Sequence, residues 1–258
     1  MMLPDLLEEY SSFCRLRREA KKSGTLGLAG MKRLHPATTL LLGEFIRSNR
    51  DSLKYAPSKD AEVAKCLSAM AGKAMDGCRL VKLPEKQEEA NKLAEKLPDL
   101  AGIEKACGGR AAFRYLVYEL VDNAYQHSGF SNAAFMVESR PEEKATELSV
   151  FDNGVSIPGS LKQSGFKFED DEAVFKAVNG VSTKKERERG FGLGSCLKIA
   201  SKALKGKALV VSGCGAFYVD EAVQQGYRLA GEDALHGTLV SLSLPFTSKE
   251  IDIYAYLE

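Results

Sequence analysis

ELVDNAYQHSG, residues 119–129, is the stretch from which the fold is inferred. Apolar residues recur at helical spacing before and within it, which predicts a helix with one face in a core. They are Phe113, Leu116, Val117, Leu120, Val121 and Ala124. Glu119, Asn123 and His127 follow one another at intervals of four residues, so together with Gln126 they line one border of that face.

This polar border has two interpretations. In the first, Glu119 and Asn123 form a solvated helix edge beside the core. In the second, they belong to a site for metal and phosphate. An Asn amide oxygen is a hard ligand that suits Mg²⁺, and a Glu can take a proton from a water or a hydroxyl. Residues farther along the chain must distinguish the two.

The composition is that of an ordinary globular protein. The 258 residues include 36 basic and 35 acidic ones, for a net charge of +1, so nothing indicates a nucleic-acid partner. The six cysteines are scattered and form no CxxC pair, so neither a zinc site nor a disulfide framework is indicated. Reduced thiols in a cytosol fit this usage.

The amino terminus and the hydropathy predict a cytoplasmic protein. The first ten residues, MMLPDLLEEY, are acidic where a signal peptide would be basic. No apolar run approaches the roughly 20 residues that a membrane span needs. We therefore expect no membrane association.

The first part of the chain predicts a small domain over residues 1–82. An amphipathic helix is expected over residues 4–22, a short buried strand in TLGLAGMKRL, a second helix from Pro36, and a helical segment over residues 63–75. A charged helix over residues 83–104 would link this unit to a second domain, residues 105–258, with the boundary near residues 80–100.

The second part predicts an α+β sandwich. After the helix that carries ELVDNAYQHSG, strands are expected at 133–140 and 146–153 as a hairpin, and at 209–213 and 237–245. Between them, residues 154–190 are rich in loop residues, with one helix at 171–179, and a further helix is expected at 191–204. This order indicates an antiparallel-rich mixed sheet with helices on one face.

Two further motifs bear on chemistry. In FDNGVSIP, Asp152 comes at the end of a strand, where a buried carboxylate can accept a hydrogen bond from the exocyclic amine of a planar base. Gly154 would let the chain approach the ring, although Asn-Gly is also an ordinary turn signal. In RGFGLGS, Gly190, Gly192 and Gly194 precede a helix and could expose backbone amides to an anion, or could simply start that helix.

The segment GVSTKKERERG stands just before this glycine cluster. It offers hydroxyls and cations that can meet phosphate oxygens, namely Ser182, Thr183, Lys184 and Arg189. The charged residues 185–188 read as a solvated loop.

In this order, the motifs resemble the GHKL ATPase superfamily over residues 105–246. The resemblance implies a Bergerat-type α/β sandwich that binds ATP with Mg²⁺. Asn123 corresponds to the Mg²⁺ ligand and Glu119 to the general base, and Asp152, Gly154 and Thr238 correspond to the adenine-reading group. The other residues that the resemblance places at the nucleotide are Asp122, His127, Gly190, Gly192, Leu193 and Gly194, with residues 156–189 as a mobile lid.

One position departs from the family pattern. Where the family usually has Asp-x-Gly-x-Gly, the second glycine is Ser156 here. If that position needs a positive φ, a side chain costs on the order of 1 kcal/mol. We therefore expect nucleotide binding with an altered lid.

Within the superfamily, ELVDNAYQHSG looks most like the anti-sigma-factor serine kinases. A self-phosphorylating histidine kinase is disfavoured, because His35 precedes Pro36 and so is unsuited to a helix. The segment TLGLAGMKRLHPATTLLLGEFIRSNRD resembles the strand-helix unit of STAS domains over about 27 residues, with Thr38 and Thr39 as poor substitutes for their phosphorylated Ser. An unrelated small helical domain is the alternative.

Two classes of function follow from these resemblances. The protein is either an ATPase or a kinase that acts on Ser or Thr of a regulatory partner protein, or a nucleotide-gated binding switch with little turnover. A homodimer is compatible with both.

Overall fold

The computed structural model describes residues 4–28, 31, 34–56, 61, 78–90, 92, 108–181, 192–247 and 249–256. Its helices are α1 (Asp5–Ser23), α2 (Pro36–Ser48), α3 (Arg110–His127), α4 (Ile157–Gln163), α5 (Asp170–Val178) and α6 (Gly192–Lys198). A π-helical turn, Ile199–Ala203, continues α6, and 3₁₀ turns occur at Gly231–Asp233 and Ile253–Tyr256.

The strands are β1 (Thr25–Gly27), β2 (Lys54–Ala56), β3 (Cys78–Lys82), β4 (Ala133–Arg140), β5 (Ala145–Asp152), β6 (Lys207–Gly213), β7 (Gly215–Val219), β8 (Gln224–Arg228) and β9 (Leu235–Pro245). Among the described residues, seven of them form one sheet in the order β3-β4-β5-β9-β6-β7-β8. Every neighbouring pair in this sheet is antiparallel. The α+β class is therefore confirmed, with an antiparallel sheet rather than a mixed one.

The hairpin and the helix before it lie where the sequence predicts them. Strands β4 and β5 pair from Ala133 opposite Asp152 to Arg140 opposite Ala145. The apolar stripe of α3 is buried, as its helical spacing indicates. Helix α3 therefore lies on one face of the sheet with its polar border at the edge of that core.

The core between α3 and the sheet uses alternate residues of each strand. Phe135 and Val137 of β4 and Leu148 and Val150 of β5 share this core with α3, α5 and α6. Because side chains in a strand alternate between faces, the residues between them point to the opposite side.

Helices cover that opposite side as well, which corrects the prediction of helices on one face. Helices α1 and α2 pack there against residues such as Met136, Phe151 and Leu209. The physical reason is visible in β5, which is buried at all eight positions. A strand that is buried on both faces needs a layer on each.

The first 82 residues thus contribute to the same layered structure as the rest. Strand β3 pairs with β4 at the edge of the sheet, and β1 pairs with β2 in parallel beside α1. The helix expected at 63–75 lies outside the described residues, and of the linker helix expected at 83–104 the structure describes only part, which is helical at 87–90. No helix of the described ranges is both long and apolar enough to cross a membrane.

Candidate functional site

A cavity of about 590 Å³ lies on the face of the sheet that α3 covers. Helix α3, the ends of β5 and β9, the segment from Ser160 to Val181 and the start of α6 all contribute to its wall. A cavity of this size fits a small organic ligand or a nucleotide. It brings together Asn123, His127, Asp152 and Thr238, which the sequence places far apart.

Asp152 is the buried carboxylate of this cavity. Its residue is 5% exposed, and its Oδ1 accepts the backbone N–H of Gly154 at 3.0 Å. Burial raises the pKa of Asp152 to about 7, while hydrogen bonds from Gly154 and Ser128 oppose the rise. The Ser128 hydroxyl also donates to the Ala124 carbonyl at 2.7 Å, and it has one proton for the two acceptors. The carboxylate therefore retains unused acceptor capacity.

Strand β9 lies next to the residue that carries this carboxylate. Thr238 lies directly opposite Asp152 in the β5–β9 register. Its hydroxyl lies 2.9 Å from the Ser212 hydroxyl, which in turn donates to the Gly237 carbonyl at 3.0 Å. Gly237 has φ of +96°, and a Cβ there would lie 1.9 Å from the Asp152 carbonyl oxygen. A glycine is required for β9 to pass this point.

Gly154 has a structural task at the end of α3. A Cβ at Gly154 would lie 2.2 Å from the Ser128 carbonyl oxygen, and the next residue, Val155, donates its N–H to that oxygen at 2.6 Å. The glycine therefore allows the loop after β5 to cross the end of α3. This crossing holds Asp152 beside the helix.

Asn123 provides the observation that bears on a metal. Its residue lines the cavity, and its Nδ2 is buried without a hydrogen-bond partner in the part of the chain that the structure describes. Rotation of the amide by 180° exchanges its oxygen and nitrogen, so either atom can occupy this position. A buried amide with no protein partner fits the role of a ligand for Mg²⁺.

The glycine motif also reaches the cavity. Gly192, Leu193 and Gly194 line it, as does the exposed Lys198, which the sequence did not single out. A Cβ at Gly194 would lie 2.4 Å from the Val178 carbonyl oxygen, so this glycine lets α6 approach α5. Ser182, Thr183, Lys184, Arg189 and Gly190 lie outside the described residues.

Comparison with known families agrees with this geometry. Residues 108–248, more than half of the chain, match the family described as histidine kinase-, DNA gyrase B-, and HSP90-like ATPase. The chain belongs to this ATPase family. No curated protein matches the chain.

The domain of this ATPase family binds ATP, so the cavity is the candidate site for that nucleotide. The matched range begins just before α3 and ends just after β9, so it contains every cavity residue named above. The chain is thus an ATP-binding protein of the GHKL type, and the metal that usually accompanies ATP has a fitting ligand in Asn123.

Glu119, the predicted general base of the ATPase, lies beside the cavity rather than in its wall. It is half-buried on α3, one turn before Asn123, and it is not among the described residues that line the cavity. Its charge acts on Tyr115 and Cys196: burial raises the pKa of each, and Glu119 raises both further. Glu119 therefore faces the junction between α3 and α6.

Asp122, which the resemblance places at the nucleotide, contacts two glutamines in this structure. Its carboxylate accepts hydrogen bonds from Gln87 at 2.5 Å and from Gln126 at 2.6 Å, and it is not one of the described cavity residues. Asp122 instead holds residue 87 against α3.

Ser156 does not have the strained backbone that its place in the ATPase motif suggested. Its φ is −64°, and its hydroxyl accepts the N–H of Gly159 at 3.2 Å as the N-cap of α4. The position does not need a glycine. Of the predicted lid, residues 156–181 are described and form α4, α5 and their connections, and the remainder lies outside the described residues.

Proposed function

We propose that the protein binds Mg²⁺-ATP in this cavity, with the adenine against Asp152 and the phosphates toward α6. The buried carboxylate of Asp152, placed opposite Thr238 with unused acceptor capacity, is the observation that carries the proposal. Such a group accepts a hydrogen bond from the exocyclic amine of adenine, whereas the six-position carbonyl of guanine would meet it as a second acceptor.

The phosphate end of the site would be formed by α3 and α6. Asn123 would hold Mg²⁺ through its amide oxygen. The ion, when bound, supplies positive charge that offsets the charge of the phosphates. Gly192, Leu193 and Gly194 offer backbone N–H groups, and Lys198 is a cation in the same wall.

We further propose that the protein is a regulatory ATPase or a Ser/Thr kinase that acts on a partner protein. Glu119 would take the proton from the attacking water or hydroxyl, one helical turn from the residue that holds the metal. The likeness of ELVDNAYQHSG to anti-sigma-factor serine kinases supports a protein substrate. The acceptor would lie on another chain, because Thr38 and Thr39, the residues at the STAS-like acceptor position, are 4% and 0% exposed.

A nucleotide-gated switch is the second candidate, and the wall of the cavity favours it. Ser160, Leu161 and residues 177–181 line the cavity, so the described part of the lid would contact a bound nucleotide directly. A ligand that contacts a segment can shift its conformational equilibrium by as much as its affinity for the two states differs. Binding alone could then expose or hide a surface for a partner.

The first experiment incubates the purified protein with γ-labelled ATP and Mg²⁺ and follows nucleotide retention, free phosphate and label on added protein. Asp152→Asn and Asn123→Ala should each weaken retention at least tenfold. Glu142→Gln, an exposed residue in the β4–β5 turn, is the matched control and should bind as the wild type does.

The Glu119→Gln variant distinguishes an ATPase or kinase from a nucleotide-gated switch. In an enzyme, it should retain ATP but lose at least a hundredfold in turnover or transfer, which is the usual scale for a general base. Unchanged slow turnover in Glu119→Gln would favour the switch. Wild-type protein that retains no nucleotide would refute the site.

A further inference from the structure

A second cluster of ionisable groups lies on the face of the sheet opposite the cavity. His35 precedes α2, Glu9 belongs to α1 and Glu147 belongs to β5. The His35 Nδ1 lies 3.0 Å from the nearer Glu9 oxygen and 2.9 and 3.0 Å from the two Glu147 oxygens. These ligand atoms all lie within 4.8 Å of one another. None of the three residues takes part in the nucleotide site.

The hydrogen-bonding capacity of the cluster is mismatched. Three carboxylate oxygens converge on one ring nitrogen, and Nδ1 carries at most one proton. A single N–H cannot make well-aligned hydrogen bonds to two carboxylates at the same time. A cation that accepts several ligands would satisfy this arrangement better than a proton does.

An arginine is buried beside this cluster. Arg140, which is 1% exposed, lies 2.8 Å from Glu138 and 3.2 Å from Glu147, and it donates to the Leu34 carbonyl at 2.9 Å. Burying a carboxylate such as that of Glu147 is costly unless a cation or a hydrogen-bond donor compensates its charge.

We propose that Glu9, His35 and Glu147 form a binding site for one divalent transition-metal ion of the zinc class. An imidazole with two carboxylates is a donor set that zinc accepts. Ligand atoms around a tetrahedral zinc ion lie about 3.3 Å apart, given bonds of about 2.0–2.1 Å. The separations of 2.9 and 3.0 Å here need only small side-chain movements to reach that value.

Arg140 fixes the orientation of one proposed ligand, because its guanidinium contacts the Glu147 carboxylate. Residues around protein metal ligands usually orient those ligands in this way. The metal would join α1, the start of α2 and the central strand β5. It would thereby fasten the N-terminal helices to the back of the ATPase sheet, a structural role that is independent of the proposed nucleotide chemistry.

Protons are the competing occupants of the site. Burial raises the pKa of Glu9 to about 7, although His35 opposes the rise. Burial lowers the pKa of His35, but hydrogen bonds to Glu147 and Glu9 outweigh it and raise that pKa to about 10. Zinc must displace this proton. The experiment therefore has to exclude an ion triad of Glu9, His35 and Glu147 that holds only a proton and no metal.

The test titrates ZnCl₂ into metal-free full-length protein and measures stoichiometry by calorimetry and elemental analysis. We expect one tight zinc per chain and a rise in Tm of about 5 °C or more at saturation. His35→Gln should lower the affinity at least tenfold and abolish the rise. His236→Gln, which alters an exposed histidine of β9, should leave both unchanged.

Cobalt distinguishes this site from the cysteines. The chain has six of them, and Cys14 is buried on the same helix as Glu9. The Co²⁺ complex of the wild type should show d–d bands of an oxygen and nitrogen site without a thiolate charge-transfer band, a result that does not depend on any variant folding. Absence of zinc uptake at micromolar metal, a thiolate band, or binding that His35→Gln leaves intact would each overturn the proposal.

Discussion

At the scale of single residues, Asp152 illustrates how a binding group is held at a cost to stability. Its carboxylate is 5% exposed and receives one full backbone hydrogen bond. A buried carboxylate in that state favours its protonated form, which is why its pKa rises to about 7. A ligand that donates a hydrogen bond to the carboxylate would offset part of this cost.

Replacing Asp152 with Asn should therefore have opposite effects on binding and on stability. Nucleotide affinity should fall by about ten- to a hundredfold, the usual value of a hydrogen bond to a charged group. At pH 8 the free protein should become more stable by about 2–4 kcal/mol, because the amide removes the cost of burying a charge. Titration with a fluorescent ADP analogue and urea denaturation measure the two effects.

The pH dependence provides the check on this reasoning. The folded pKa lies above the unfolded value of 3.8, so the stability that Asp152 contributes is complete below about pH 4 and is lost as the pH rises through about 7. The advantage of Asp152→Asn should accordingly be larger at pH 8 than at pH 5. A variant that is less stable than the wild type at pH 8 would contradict this account.

At the scale of elements, α4 shows that a departure from a family motif can be locally stabilising. Ser156 replaces the second glycine of the ATPase motif, has an ordinary extended φ and caps α4 by accepting the Gly159 N–H. Pro158 sits in the first turn, where its missing N–H costs nothing. The segment therefore begins a helix directly after the loop that holds Asp152.

Loss of this cap should be measurable. Ser156→Ala should lower the free energy of unfolding by about 1 kcal/mol, whereas Ser156→Gly, which restores the family pattern, should lower it by only a few tenths. The control is Ser160→Ala, which removes a serine hydroxyl within the same helix and leaves the N-cap intact. Urea denaturation at one pH is sufficient, and equal losses for Ala and Gly at position 156 would count against the cap.

The sequence predicted those elements whose apolar residues recur at regular spacing over their whole length. Helix α3 and the β4–β5 hairpin have apolar residues at regular spacing over a long stretch. Strand β8 was missed because its residues, QQGYR, are almost all exposed and show no apolar alternation. Strand β7 was missed because only Cys214 separates it from β6, and α4 because Pro-Gly in IPGSLKQ is a turn signal.

The same limit applies to the site. Asp152, Asn123 and Thr238 could be predicted because each stands in a short motif whose spacing the family shares. Ser212 and Ser128 could not, because their roles depend on contacts with strands and loops distant in sequence. The contact of Asp122 with Gln87 could not be predicted either, because the two residues are far apart in the sequence.

At the scale of the whole molecule, one sheet carries the cavity on one face and the histidine cluster on the other. Strand β5 contributes Asp152 to the cavity on one side and Glu147 to the histidine cluster on the other. The strand is buried throughout, so neither face is complete without its helical layer. This arrangement bears on the predicted division of the chain at residue 82.

The last prediction concerns that division. Leu42, on α2, is 0% exposed in the core between the N-terminal helices and the sheet. Leu42→Ala should cost about 2–5 kcal/mol through the cavity it leaves. If both layers unfold together, hydrogen exchange of the slowest amides in α3 and β9 should report the same loss as those in α2. Val223→Ala, at an exposed site, should change little. A loss confined to residues 1–82 would instead establish an independent N-terminal domain, because α3 and β9 would then keep their protection when α2 opens.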